Sequence, residues 1–385
     1  MDATADDPRW ERFTLLGGPL HRLGERVGLV RGSRTFAFGV ALGLSLWLVA
    51  AVLAWHQGLS LASLSMLGAH VRLLVAIPLL FLAETLLDPR LNDFMQVMVR
   101  SRVVPGRARD ALVQRLARVK RWANSRWPDL ACLAIAIGLL WLLPTVHVPG
   151  MDRTLRLGEE AVQTASGVWY SVVCLTVLRF LLLRWVLRLL LWWHCLWFVS
   201  RLPLRLVPAH ADGVAGLGGL DSVNLHFAPL VLAISATMAA SFAVDIRDGA
   251  MTLTQVIPDA FAILLLDAAI FLGPSLVFVP ALWACKLKGQ SDYMVLAERY
   301  AADFEHKWMG PAPPPEPLLG SSDIQSLADL STAVQVVRDL RVVPVSNATL
   351  LHLGVLALLP LAPLALFKYP MADLARQVLG RLLGL

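Results

Sequence analysis

Charge is what this chain has least of. Only 16% of its 385 residues are Asp, Glu, Lys or Arg, while 57% are hydrophobic and the mean hydropathy is +0.63. Soluble domains carry about 25% charged residues, and the apolar surplus here is gathered in blocks. That combination excludes an ordinary soluble core and points to a membrane protein. An apolar leader is also missing: "MDATADDPRWERF" is acidic. A cleaved secretory signal is therefore not expected, and the first apolar block should act as an uncleaved insertion signal. Cysteine is scarce. Cys132, Cys174, Cys195 and Cys285 each sit inside an apolar block and none forms a C-x-x-C. Neither a disulfide framework nor a zinc site follows, and burial as small hydrophobes is the simplest expectation. Walker A, G-x-G-x-x-G, H-E-x-x-H and nucleophile-elbow patterns are absent too. No catalytic residue is assigned on this basis, and no cofactor is implied.

What is present is a series of blocks long enough to cross a bilayer, which takes about 20 helical residues. They fall near Phe36 to Trp55, Val71 to Leu87, Leu130 to Val148, from Gly167 onward, Leu225 to Val244, Val256 to Cys285, and Asn347 to Phe367. The expected fold is thus all-α: a polytopic bundle of about seven transmembrane helices with amphipathic cytoplasmic helices. The chain divides accordingly into 1–35, 36–87, 88–128, 129–286 (with a Gly-rich loop at 206–224), 287–346 and 347–385. The net charge of +6 resides in arginines between the blocks. Residues 88–128 hold ten Lys and Arg, whereas 149–166 holds only Arg153 and Arg156. Such asymmetry places the N-terminus and the basic loops in the cytoplasm. It calls for lipid, not nucleic acid: the bilayer itself, with anionic headgroups at the basic loop. A second copy of the chain or a cytoplasmic protein completes the expected partners.

Helical periodicity in the basic loop places Leu91, Phe94, Met95 and Met98, then Leu112, Leu116 and Val119, on buried faces. The tail "MADLARQVLGRLLGL" reads as a surface amphipathic helix. The fourth block continues as "WVLRLLLWWHCLWFVSRLPLRL". Its Arg184 and Arg188 are expected to snorkel at headgroup depth, followed by an interfacial helix. The spacing of its arginines is too irregular for a voltage sensor.

Three places invite a functional reading. The first is "LVPAHADGVAGLGGLDSVN" at 206–224, with His210, Asp212, Gly213, Gly216, Gly218 and Asp221. Glycines here allow backbone amides to form an anion nest, and His210 with Asp212, and with Asp221 or His226, suits a divalent metal of unknown identity. The alternative is a tight turn that caps the next helix. The second is the set of ionisable groups inside the blocks: Asp267, Arg179, Glu84 and Asp259. Each is expensive at bilayer depth and needs a partner or water. Arg179 is the natural partner for Asp267, either as a structural pair or as the lining of a cavity. Pro258, Pro274 and Pro280 favour a broken sixth helix. The third is "LLGSSDIQSLADL", where Ser322 and Gln325 fit a capping box and the helix they open offers a docking surface.

Two of these stretches also carry a resemblance. "PAHADGVAGLGGL", with "EPLLGSSDIQSLADL" and "VVRDLRVVP", resembles a family of bacterial multi-pass inner-membrane proteins. Its members show His-Pro-Asp before a Gly-Gly-Leu-Gly loop and a similar Asp-Ile-Gln-Ser-Leu-Ala-Asp-Leu helix. His210, Asp212, Gly216, Leu217 and Gly218 match, while Ala215 replaces a glycine and Ala211 the proline, the latter a departure expected to loosen the loop entry. The resemblance implies an inner-membrane address and no catalytic residues. From the residues, the leading expectation is a transporter or channel for a small solute or ion. A signalling or scaffold protein, and a metal-dependent enzyme acting on lipid or headgroup, are the alternatives.

Overall fold

The computed structural model describes residues 13–58, 67–142, 165–310, 317 and 321–367. Among them the architecture is all-α, with no strand beyond an isolated bridge between Arg31 and Arg34. The helices are α1 (Gly18–Arg26), α2 (Phe36–His56), α3 (Leu67–Arg100), α4 (Gly106–Asn124), α5 (Arg126–Leu142) and α6 (residues 165–200). Then come α7 (Gly219–Leu225), α8 (Ala228–Arg247), α9 (Leu253–Phe271), α10 (Val279–Trp308), α11 (Ser322–Arg338) and α12 (Asn347–Leu358). A 3-10 segment, Leu359–Phe367, extends α12, because Pro360 and Pro363 remove donors that an α-helix needs.

Five helical stretches are long and apolar enough to cross a membrane: Phe36–His56, Leu67–Arg100, Gly219–Arg247, Leu253–Phe271 and Asn347–Ala365. Their outer faces confirm the solvent. Val40, Leu44, Leu48 and Val52 recur every four residues along α2 and are all exposed, as are Ile257, Phe261 and Leu265 on α9. Apolar stripes turned outward at this density belong against lipid. The inner face of α2 is built for close approach instead. A Cβ on Gly43 would lie 2.2 Å from the Leu73 carbonyl oxygen, so only glycine lets α3 pass there.

One end of the bundle gathers the arginine-rich connections and is called the basic end here. The other, where Ser166 Oγ donates to Gln57 Oε1 at 2.6 Å, is the far end. At the basic end the periodicity of 91–119 is realised: Leu91, Phe94, Met95, Met98, Leu112, Leu116 and Val119 are all buried. Each such side chain contributes about 1.5–3 kcal/mol when fully buried.

The structure departs from the expected spans in three places. Beyond Leu87, α3 continues without a break to Arg100, with Pro89 accommodated inside it. The fourth block is one helix over 165–200, not a crossing followed by a separate interfacial helix. The sixth ends at Phe271, and Gly273–Phe278 forms a 3-10 turn before α10 sets off. Gly273 and Pro274 supply the break, and residues 279–285 belong to the next helix. The third expected span is described only to Leu142. The rest of it, the far-end loop over 149–164 and the amphipathic tail lie outside the described residues.

Beyond the bundle, α10 and α11 pair as an antiparallel hairpin. The Asp323 carboxylate accepts from Lys307 Nζ at 2.6 Å and Trp308 Nε1 at 3.1 Å. The cap of α11 is Ser321, which accepts from the Asp323 N–H. The expected Ser322–Gln325 box does not form, because the helix starts one residue earlier and Gln325 donates to Asp329 instead.

Candidate functional site

The Gly-rich loop makes its nest and fills it. Gly213, Ala215 and Gly216 adopt φ of 67°, 57° and 100°, and this curl turns successive amides inward. The Asp212 carboxylate accepts from Val214 N–H at 2.9 Å, Gly216 N–H at 3.1 Å and Gly218 N–H at 2.8 Å. His210 Nδ1 lies 2.9 Å from its Oδ1. Burial pushes the Asp212 pKa up, but the three N–H donors and His210 outweigh it and hold the carboxyl below its usual range. An external anion would have to displace this carboxylate.

Asp221 is turned away from the loop and accepts from Ser346 N–H at 2.8 Å, at the cap of α12. His226 accepts from Arg90 Nε at 3.3 Å. His210, Asp212 and Asp221 therefore do not converge, and among the described residues no three His, Cys, Asp or Glu gather to hold a metal. The loop also clasps the connection after α11: the Arg341 N–H donates to the Gly213 carbonyl at 2.9 Å. The Asp212 carboxylate sets the shape of the loop even with Ala211 in place of the proline.

Glu84 does have a partner, and it is Arg188. The two side chains form a buried ion pair, 5% and 8% exposed. One turn away Arg184 pairs with Asp129 at 3.2 Å and donates to the Gly17 carbonyl at 2.9 Å. Both arginines are interior groups, so the expected snorkelling is not what they do. Their neighbours explain why. Residues 13–17 run as a strap into the basic end. Phe13 N–H donates to Asn92 Oδ1 at 3.0 Å, and the Thr14 hydroxyl and Leu15 N–H donate to Asp88 Oδ1 at 2.5 and 3.2 Å. Strap, ion pairs and indole close over a cavity of about 20 Å³ lined by Leu15, Leu16, Glu84, Asp88, Arg188 and Trp192. That is about the volume one water occupies.

Arg179 and Asp267 do not meet. Asp267 is 4% exposed and its Oδ2 has no hydrogen-bond partner. The break at Gly273 places it one turn from the end of α9, at the basic end where Phe271 packs on Phe227, and not at mid-span. Asp259 is half-buried near the far end of the same helix. Arg179 reaches toward the far end, where the ionisable groups within its electrostatic range are Arg72 and Tyr170.

Those two residues sit in the most unusual backbone of the molecule. Val71–Ala76 in α3 and Trp169–Cys174 in α6 are both π-helical. Arg72 Nη1 donates across them to the Tyr170 hydroxyl at 2.7 Å, and its Nη2 donates to Ser241 Oγ of α8 at 2.9 Å. Arg72 is 8% exposed, and neither it nor Arg179 has a carboxylate partner among the described residues. Beside this seam an apolar groove of about 500 Å³ runs between Val71, Val75, Ala239, Ala243 and Leu364. The sequence carried one usable signal for Arg72: it is the only charged residue in its apolar block before Glu84. The π turns left none.

Comparison with protein-family models, curated proteins and solved structures finds no match to this chain. The site's geometry must carry the functional argument alone.

Proposed function

We propose that this chain is a multi-pass membrane protein that moves a small solute or ion through its bundle. The observation that supports this is a pair of ionisable groups, Arg179 in α6 and Asp267 in α9, with buried polar atoms that have no hydrogen-bond partner and no counter-charge among the described residues. An ionised side chain left without a partner inside a span is costly, up to about 2.5–3.5 kcal/mol at a helix centre on insertion scales and less toward a helix end. Charges kept under that penalty mark ion or substrate pathways. The break between α9 and α10 and the two π segments fit the same reading, since irregular backbone at membrane depth lines sites.

The topology belongs to this proposal. Adding the helices at Arg126–Leu142 and 165–200 to the five apolar stretches gives seven spans. The positive-inside rule then puts the basic end in the cytoplasm. The resemblance at 208–220 and 316–344 supports a bacterial inner membrane.

The test is flux in liposomes. Reconstituted protein should pass at least one small ion or solute above the protein-free rate. Asp267→Asn should cut that flux at least tenfold while the variant stays folded. Absence of flux for every ion tried, with Asp267→Asn altering only the melting temperature, defeats the proposal. A second reading, docking of a cytoplasmic protein, draws on the projecting α10, where Trp283, Leu287, Met294 and Leu296 are exposed. It predicts co-purifying protein that is lost on deleting 319–345.

A further inference from the structure

The seam where α3, α6 and α8 meet has the chemistry of an anion site. Two guanidiniums, those of Arg72 and Arg179, lie within electrostatic range of each other there. Arg72 is held in place by Tyr170 and Ser241, which use Nη1 and Nη2 without neutralising the charge. Arg179 is the free half. Its Nε and Nη1 are both shut off from solvent and have no hydrogen-bond partner, and the Thr176 hydroxyl three residues earlier on the same helix is likewise buried and unpartnered. Nε and a terminal nitrogen on one guanidinium are the edge that binds an oxyanion through two parallel hydrogen bonds. Three buried donors and two positive charges, with no carboxylate in contact with either arginine among the described residues, ask for one thing: a negatively charged group with several acceptor oxygens.

Direction agrees with this. Side chains on a helix lean toward its N-terminus, and α6 starts at the far end, so Arg179 leans toward the level of Tyr170. Both π segments widen the backbone at that level, and Arg72 and Tyr170 are members of them. Gly68 leaves room beside the Arg72 guanidinium: a Cβ there would lie 3.2 Å from Nη1.

We propose that Arg179 and Thr176, with Arg72 as fixed counter-charge, bind an oxyanion of the phosphate class in the far half of the bundle. This deepens the transport reading by naming its substrate class, yet the site stands or falls separately. The oxyanion belongs either to a free anion or to a lipid headgroup reaching in beside the apolar groove, and the experiment separates the two sources.

Purified full-length protein in a neutral detergent is titrated with inorganic phosphate by calorimetry, and in parallel with bicelles of phosphatidylglycerol against phosphatidylcholine. Saturable binding of phosphate identifies a free anion. Saturation by phosphatidylglycerol alone identifies a headgroup. In either case Arg179→Gln should weaken binding at least tenfold. Arg179→Lys, which keeps the charge but loses the two-nitrogen edge, should fall between it and the parent chain. Circular dichroism and melting temperature establish that both variants are folded, and Arg205→Gln, on the loop at the basic end, should bind as the parent does. Saturable binding of neither probe, or binding that Arg179→Gln leaves unchanged, overturns the site. Flux without binding defeats this site and leaves the carrier proposal standing. Binding without flux does the reverse.

Discussion

Four arginines lie within the helical bundle, and the protein treats them in two ways. At the basic end, Arg184 and Arg188 each meet a carboxylate from another helix, Asp129 and Glu84. In the far half, Arg72 donates to a phenol and a serine, and Arg179 lies within electrostatic range of it with Nε and Nη1 unpartnered. The first arrangement has its charges paired: each arginine meets a carboxylate, the strap donates to Asp88 and Asn92, and the space left is small, with Arg188 Nη2, Trp192 Nε1 and Asp129 Oδ2 the polar atoms still without a partner. The second is open, with donors buried and no carboxylate among the described residues to receive them. A buried ion pair is weak evidence for stability, because desolvation offsets most of its attraction. Its presence in one layer and absence in another is informative about role. The basic end is a fastening, and the far seam is the place where, on the proposal above, an outside anion completes the electrostatics.

The largest expected effect tests the fastening. Glu84→Gln leaves Arg188 buried without its counter-charge and should cost about 3–5 kcal/mol. Replacing the pair with Glu84→Leu and Arg188→Met should recover most of that loss. Unfolding in mixed detergent micelles measures both. Arg179→Met, by contrast, breaks no pairing and should leave stability unchanged or higher. If Arg179→Met proves as damaging as Glu84→Gln, the division between the two layers is broken.

The Gly-rich loop is a smaller fastening of the same kind, made of amides instead of ion pairs. Asp212→Ala strands inward-facing N–H groups of Val214, Gly216 and Gly218, at about 1–3 kcal/mol for buried donors left unmade. The sign with pH follows from the lowered pKa. The unfolded carboxyl titrates near 3.8, and the folded one below it. The contribution is therefore complete above the unfolded value and is lost as pH falls through the folded one. Acid unfolding of the parent chain should show this loss, and Asp212→Ala should not. An identical acid profile in the two proteins would deny the loop its role.

How much of this could be read from residues alone differs by scale. Blocks such as Phe36–His56 announce themselves, because length and apolarity are local properties. So does the buried face of 91–98, which is one period of one helix. The partner of Glu84 is a fact about two helices far apart in sequence, and no local pattern distinguishes Arg188 paired inside from Arg188 snorkelling outside. Asp267 was misplaced for a related reason. An apolar run from 256 to 285 conceals where one helix stops: Pro258, Pro274 and Pro280 all favour a break, and the residues alone do not choose Pro274 among them. The loop at 210–218 was legible as a nest of glycines but not as a nest already filled. Whether Asp212 points outward to a metal or inward to its own amides depends on the φ signs of Gly213, Ala215 and Gly216, which composition permits and does not dictate.

Ala215 supplies the finest test, because it asks which residue holds the loop. It sits at φ 57° with its side chain fully buried. A left-handed alanine costs roughly 1–2 kcal/mol relative to its relaxed conformation. Ala215→Gly would relieve that strain, but it removes a buried methyl worth about 0.8 kcal/mol. Glycine also adds freedom to the unfolded chain, at roughly 0.5–1 kcal/mol. The three contributions nearly cancel, so the expected change is within about 0.5 kcal/mol in the same micellar unfolding measurement, well below the effect of Asp212→Ala. That near-silence has a physical meaning. Three charge-assisted bonds to one carboxylate over-determine the curl, so the residue at its left-handed position is free to be alanine or glycine. A gain above 1 kcal/mol would show instead that backbone strain at 215, and not the reach of Asp212, limits the stability of the clasp between this loop and Arg341.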